Sequence, residues 1–167
     1  MGYSILIRTL DPASDLDRIV AFYSEAPDYW IFAEGAVPGP EKAAAFFTDG
    51  PPGSSPEDSH RLGLFLEGRL SGLAELSFGF PEAGDAYLGL MILGPWAQRV
   101  GHGATFLAHV EELARLAGAS RLYLAVIEAN SRGRAFWERE GFGPTGVSRV
   151  DMSGGRNHVL YRFVKSL

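Results

Sequence analysis

The chain has 167 residues, 46% of them hydrophobic, which is enough for one domain with a real core and too little for two. Its 15 Lys and Arg against 20 Asp and Glu leave a net charge of -5, which argues against general binding to nucleic acid, because phosphate-backbone affinity comes from massed basic side chains. The absence of cysteine excludes a disulfide framework, a thiolate metal cluster and a cysteine nucleophile; with no apolar run near the roughly 20 residues that span a bilayer and no basic-then-apolar leader, a cytoplasmic protein with no membrane partner is expected.

Residues 4–10 read as a strand. Asp11 and Pro12 open a helix whose apolar face includes Leu16, Ile19, Val20 and Tyr23 and which should end near Pro27. A second, short helix is predicted over 40–47, with Pro40 in its first turn. The following DGPPGSSPEDS, residues 49–59, is too poor in apolar side chains to be ordered by packing and is expected to be a mobile loop. Strands are predicted over 61–66 and 70–80, joined by hairpin chemistry at Glu67, Gly68 and Arg69, and over 86–93 after the turn PEAGD.

Ala104 to Ala117 reads as a helix, since Phe106, Leu107, Val110, Leu113, Ala114 and Ala117 recur at helical spacing and Gly118 supplies a stop. Residues 121–127 contain no turn residue and suit a strand buried on both faces near the centre of the sheet. A helix over 131–140, with Asn130 as N-cap and Gly141 just past its end, precedes two strands, 142–150 and 157–164, turned by SGG at 153–155. The order β, α, α, β, β, β, α, β, α, β, β predicts an α/β fold with a mixed, mostly antiparallel central sheet flanked by helices.

One stretch stands apart: QRVGHG, residues 98–103, sets two glycines around a histidine at the mouth of the 104–117 helix. The first N–H groups of a helix lack internal partners and carry the positive end of its dipole, so a pyrophosphate is the natural guest. Gly101 and Gly103 would let the loop amides turn inward as an anion nest, although they equally suit a plain turn into the helix. A P-loop is excluded because its Gly-Lys pair never occurs; the lysines are Lys42 and Lys165. A dinucleotide-binding oxidoreductase is the nearer alternative: GHGATF supplies the first two glycines and Glu128 follows the next strand, yet Phe106 replaces the third glycine and GPWAQRV separates strand from loop.

Gln98, Gly101 and Gly103, with Pro95 upstream, and the downstream NSRGRAFWEREGF of residues 130–142 together resemble the GNAT superfamily of acyl-CoA-dependent N-acetyltransferases, most clearly over residues 86–142. The resemblance implies acetyl-CoA as cosubstrate, its pyrophosphate on Gln98, Arg99, Val100, Gly101, His102, Gly103 and Ala104. It puts the pantetheine arm beside Ile92 and Leu93, where the strand would splay from its neighbour. Asn130, Phe136 and Trp137 would flank the thioester end, and a backbone N–H near Leu93 would receive the developing oxyanion. Arg99, Arg132 and Arg134 could meet the 3'-phosphate or be ordinary solvated arginines. Trp137 stands where many members carry a tyrosine acid; indole cannot replace it, but a thiol of pKa about 8.5 is a tolerable leaving group protonated by water.

Amine attack on a thioester needs a base. The 86–93 strand, where relatives often carry a glutamate, has no carboxylate; Glu75, between Ala74 and Leu76 in an apolar run, is the substitute, unless it simply faces solvent. Tyr29, Trp30 and Phe32 in PDYWIFAEG, with Asp28 and Glu34, suit either an amine pocket or core, and Tyr87 and Tyr123 either line the cleft or pack. His102 should point outward, His109 borders the core, and His60 and His158 lack ligand spacing, so no metal is expected. Two classes follow: an enzyme moving an acetyl group to a primary amine of a small molecule or peptide by direct attack in a ternary complex, and an acyl-CoA sensor without turnover. Edge strands leave a homodimer open.

Overall fold

The computed structural model describes residues 4–152 and 155–167. Its strands are β1 (Ile5–Thr9), β2 (His60–Leu66), β3 (Arg69–Phe78), β4 (Asp85–Leu93), β5 (Arg121–Ile127), β6 (Gly143–Asp151) and β7 (His158–Ser166). The helices are α1 (Leu16–Glu25), α2 (Asp28–Glu34), α3 (Pro40–Ala45), α4 (His102–Leu116) and α5 (Ser131–Arg139). Ser153 and Gly154 of the predicted SGG turn lie outside the described residues.

The strands form one sheet in the order β1-β2-β3-β4-β5-β7-β6. Neighbours run antiparallel except β4 and β5, which α4 connects as a crossover and which are therefore parallel. That one parallel ladder is short: Asp85 pairs with Arg121, Ala86 with Leu122 and Tyr87 with Tyr123, and there it ends. From Leu88 to Leu93, β4 stays paired with β3 on one side while no described strand pairs with its other edge, so the sheet forks.

Each face of the sheet carries its own core. On one, Leu62, Leu64, Ala74, Leu76, Leu122 and Leu124 pack against Phe106, Leu107, Val110 and Ala114 of α4, with Phe136 and Trp137 of α5 alongside. On the other, Phe65, Leu70, Leu73 and Ile92 meet Ile19, Phe22 and Tyr23 of α1, Trp30 of α2 and Ala43 of α3. Burying each of the Leu, Ile, Val and Phe side chains among these stabilises the fold by about 1.5–3 kcal/mol. The alternation along β4 is broken by a bulge: Glu75 pairs with Leu90 and Leu76 with Leu88, which leaves Gly89 as the extra residue. Leu88 therefore joins the α4 core and Leu90 the α1 core.

Glycine punctuation sets α4 and α5 as the sequence implies. Gly101 precedes α4 with φ 91° and Gly118 follows it with φ 86°. The Asn130 carboxamide oxygen accepts from Gly133 N–H at 2.9 Å as the N-cap of α5, and Gly141 closes it at φ 99°.

Elsewhere the structure departs from expectation. Residues 11–14 form a turn, because the Asp11 carboxylate accepts from the N–H of Ala13 and Ser14, both at 2.9 Å, and α1 starts only at Leu16. Residues 28–34, left without an element above, form α2, entered through Pro27 and closed by Gly35 at φ 79°. Seven residues are under two turns and too few to show a period. The 49–59 loop contains a 3-10 turn at Pro56–Asp58 and is tied to the sheet by Arg61, whose Nη1 donates to the carbonyls of Phe46 and Asp49. β5 lies inside the sheet as expected, but only its Leu122, Leu124 and Val126 face is fully covered; Tyr123 and Ala125 on the other are half-buried, because there the sheet borders open space beside β6 and β7.

Candidate active site

Three elements converge on the fork. The N-terminus of α4 lies beyond the end of β4, with Arg99 at φ 66° and Gly101 at φ 91° turning the chain into the helix. A side chain at Gly101 would meet no neighbouring atom, so its glycine answers to backbone conformation alone. Gly103 has a different reason: a Cβ there would stand 3.1 Å from the Phe136 ring, so this glycine lets α4 close on α5 rather than turning the loop. Gly101 brings no capping side chain, and the opening N–H groups of α4, from His102 on, carry the positive dipole end of a 15-residue helix.

Gln98 knits the loop to the sheet. Its Nε2 donates to the Leu93 carbonyl at 3.0 Å, and its Oε1 accepts from Arg132 Nη2 at 3.4 Å, linking the end of β4 to the start of α5. Val100 and Arg99 are exposed, as is Ala104, while His102 is half-buried. Arg134 pairs with Glu138 at 3.4 Å and lies over the rings of Phe163 and Tyr161, so it covers the sheet. Asn130 spends its side-chain oxygen on the helix cap. Trp137 packs edge-on against Phe136 and Phe142, with ring centroids 4.9 and 5.4 Å away.

Across the sheet from α4 and α5, a cavity of about 100 Å³ is bounded by Trp30, Lys42, Arg61, Glu75, Gly89 and Leu90, among others. Glu75 does not face solvent: it is 5% exposed. Its carboxylate accepts from the Ser77 hydroxyl, and Arg61 Nη2 lies 3.7 Å from Oε1. Burial pushes the carboxyl above its ordinary range, and the Ser77 bond and the Arg61 charge pull it partly back. Gly89 makes the position possible, because a Cβ there would stand 1.9 Å from Glu75 Oε2. The carboxylate thus lies directly on the stretch of β4 that has left β5.

A second hollow of about 20 Å³, on the far side of the fork, is bounded by Tyr87, Ala125, Arg149, Leu160 and Arg162, among others. Burial raises the Tyr87 phenol, against the opposing pull of Arg162 and Arg149. Of the predicted acceptor residues, Trp30 borders the cavity with Glu75 and Tyr87 the second hollow. Tyr29 packs edge-on against Trp30 at 5.2 Å, and burial, with Glu34, Tyr87 and Asp151 in support, pushes its phenol up to about 12. Phe32 borders neither space; its ring lies 5.4 Å from His158, whose Nε2 contacts the Phe32 carbonyl at 3.1 Å, anchoring α2 to β7. Among the described residues no group of three or more His, Cys, Asp and Glu could hold a metal ion, and no helix is long and apolar enough to cross a membrane.

Sequence reasoning passed over Arg61, Ser77 and Gly89. Gly89 carried a signal, since a glycine inside a strand marks a bulge or a close approach. Arg61 carried none, because its meeting with Glu75 depends on the β2–β3 register.

A sheet forked after a short parallel ladder, with a glycine-opened helix at the fork, is the architecture of the acyl-CoA-dependent N-acyltransferases. The chain belongs to the acetyltransferase (GNAT) family, whose sequence model matches residues 19–142. It is accordingly an acetyl-CoA-dependent N-acetyltransferase, moving an acyl group from acyl-CoA to an amine. An acetyltransferase from Thermus thermophilus is similar at 25% identity and TM-score 0.74, covering 98% of this chain and 97% of its own. A ribosomal-protein-alanine N-acetyltransferase from Brucella melitensis aligns at 23% identity and TM-score 0.73, covering 97% and 99%. The PaiA N-acetyltransferase from Thermoplasma acidophilum, in complex with coenzyme A, aligns at 22% identity and TM-score 0.66, covering 98% and 99%. No curated protein matches the chain significantly.

Proposed function

We propose that the enzyme transfers the acetyl group of acetyl-CoA to a primary amine by direct attack in a ternary complex, with Glu75 as the base. The N–H groups of residues 98–104 hold the pyrophosphate, and the open edge of β4 at Ile92 and Leu93 pairs with the amides of the pantetheine arm. The observation that carries this reading is the position of Glu75: a buried carboxyl of raised proton affinity, lying on Gly89 where β4 leaves β5. Raised affinity suits a group that must accept a proton near neutral pH. Glu75 takes the proton of the amine directly or through one water, a backbone N–H near Leu93 stabilises the developing oxyanion, and solvent protonates the departing thiolate. Trp137, packed between Phe136 and Phe142, contributes shape rather than a proton. Trp30 and Tyr87 wall the acceptor side, Tyr29 backs Trp30, and Phe32 holds α2 against β7.

Calorimetric titration with acetyl-CoA, with NADH and ATP as controls, tests the cosubstrate. Selective binding at micromolar strength is expected; binding of NADH instead would revive the dinucleotide reading. Thiol release with an amine panel then tests turnover. Glu75→Gln should keep acetyl-CoA affinity while losing rate, and an unchanged rate removes Glu75 as the base. Acetyl-CoA binding with no amine turned over would make the protein a sensor.

A further inference from the structure

Two buried side-chain N–H groups among the described residues find no acceptor in the protein: Trp30 Nε1 and Arg61 Nη2. Both residues border the cavity that contains Glu75. A buried donor left unpaired costs about 1–3 kcal/mol, and more when it is charged, so buried donors are as a rule matched. Here the residues that carry the two exceptions line one cavity.

Neither group is free to turn away. Arg61 is held by its other nitrogens, Nε donating to the Ser59 hydroxyl at 2.8 Å and Nη1 to the Phe46 carbonyl at 2.7 Å and to that of Asp49. Trp30 is wedged edge-on between Tyr23 and Tyr29, with ring centroids 5.6 and 5.2 Å away, and Lys42 Nζ lies 4.2 Å over its ring. Side chains fixed in this way present their remaining donors without further ordering cost.

Two donors, one of them cationic, call for an oxygen-bearing anion, and guanidinium groups bind carboxylate most strongly. The spacing narrows the choice. Arg61 Nη2 and Glu75 Oε1 are 3.7 Å apart, too far to bond each other well and close enough for two neighbouring groups of one small ligand. A nitrogen facing Glu75 and a carboxylate facing Arg61 match that spacing when they sit on the same carbon, joined through two bonds of about 1.5 Å each. Lys42 and Arg61 against Asp49 and Glu75 balance the charge around the cavity, which suits a zwitterion better than a polycation. Its volume of about 100 Å³ is several times the roughly 10–15 Å³ that admits one water, so it holds a group of several heavy atoms.

We propose that the acceptor is a free α-amino acid, whose carboxylate is taken by Arg61 Nη2 and Trp30 Nε1 while its amine faces Glu75. This rests on the proposed role of Glu75 and the fork. The ammonium loses two protons: Glu75 accepts the one that frees the lone pair, and the second leaves to solvent as the new C–N bond replaces the thioester C–S bond. The electron pair of that bond departs on sulfur, which gains a proton from solvent.

The test is thiol release from acetyl-CoA with three related series: free amino acids such as alanine and valine, their amides, and the amines lacking the carboxylate, such as ethylamine. A site built around a carboxylate is expected to favour the amino acid over the matching amine by about 100-fold or more in kcat/KM. Trp30→Phe, which removes one donor and keeps an aromatic wall, should cut that ratio by about fivefold or more, chiefly through KM. Arg61→Lys should cut it further; if the variant fails to fold, as judged by acetyl-CoA titration, Trp30→Phe carries the result. Amines and amides acetylated as fast as amino acids would overturn the proposal and leave acetyl transfer intact. An unchanged ratio in Trp30→Phe, or turnover of amides alone, overturns it as well. No turnover in any series, with acetyl-CoA bound, overturns this proposal; the role of Glu75 stands or falls by Glu75→Gln.

Discussion

Replacing Gly89 with alanine adds one methyl group at the point where the fork and the carboxylate proposed as the base meet. The new Cβ would stand 1.9 Å from Glu75 Oε2 and 3.0 Å from its Cδ. Gly89 is not among the residues with positive φ, so the backbone accepts alanine without strain and the whole conflict falls on the carboxylate. Glu75 must swing away, leaving the Ser77 hydroxyl and the contact with Arg61. A positioned base contributes about 10²–10⁴ to rate, equivalent to about 3–5 kcal/mol of barrier. Gly89→Ala should lose most of that while acetyl-CoA still binds, because the clash reaches no residue of the 98–104 loop. The assay is a double-mutant cycle read by thiol release: Gly89→Ala, Glu75→Ala and both together. In the Glu75→Ala background the methyl meets no carboxylate, so the second substitution should add almost nothing to the first. A Gly89→Ala enzyme as fast as the parent, or one that loses as much rate with Glu75 already gone, would refute the reasoning.

Three further outcomes are expected. The rate should fall as pH drops through the raised proton affinity of Glu75, above the ordinary carboxylate range, and a pH–rate profile of Glu75→Gln should lack that limb. Asp15 is 1% exposed and bonded to Arg8 at 2.8 and 2.9 Å, which holds its pKa down to about 2. A carboxyl depressed in the folded state stabilises above its unfolded pKa and loses that contribution as pH falls through the folded value. Asp15→Asn should therefore cost about 1–2 kcal/mol in urea melts at pH 7, with the difference from the parent closing between about pH 4 and pH 2. Asn130→Ala, which removes the bond to Gly133 N–H, should lower the stability measured in the same melts by about 1 kcal/mol.

What the sequence disclosed was local, and what it hid depended on distant pairing. α4 and α5 are bounded by Gly101, Gly118, Asn130 and Gly141, each of which acts on its own few residues, so their limits were readable within a residue or two. Glu75 was readable as unusual because Ala74 and Leu76 flank it. Its partner Arg61 lies 14 positions away and reaches it only through the β2–β3 register, which no short window contains. The bulge was hidden for a similar reason: Gly89 looks like any strand glycine until β3 is laid beside β4. α2 escaped because its packing against Tyr23 and His158, rather than any period of its own, makes it a helix.

The short ladder between β4 and β5 also divides the molecule in a way the two cores conceal. β1 to β4 are contiguous in the chain up to residue 93, and β5 to β7 occupy residues 121–166, so among the described residues three pairs are the whole of the strand-to-strand seam between an N-terminal and a C-terminal half-sheet. Across the rest of that seam the open edge of β4 has no described strand opposite it. On the proposed reading, a cosubstrate lying there would complete the sheet as an eighth, non-peptide strand and fasten the halves together. Its binding energy then becomes folding energy: at a hundred times Kd, a ligand held only by the native state adds about 2.7 kcal/mol to the stability of both halves at once. Hydrogen exchange at Met91, Ile92 and Leu93 should slow in proportion when acetyl-CoA binds.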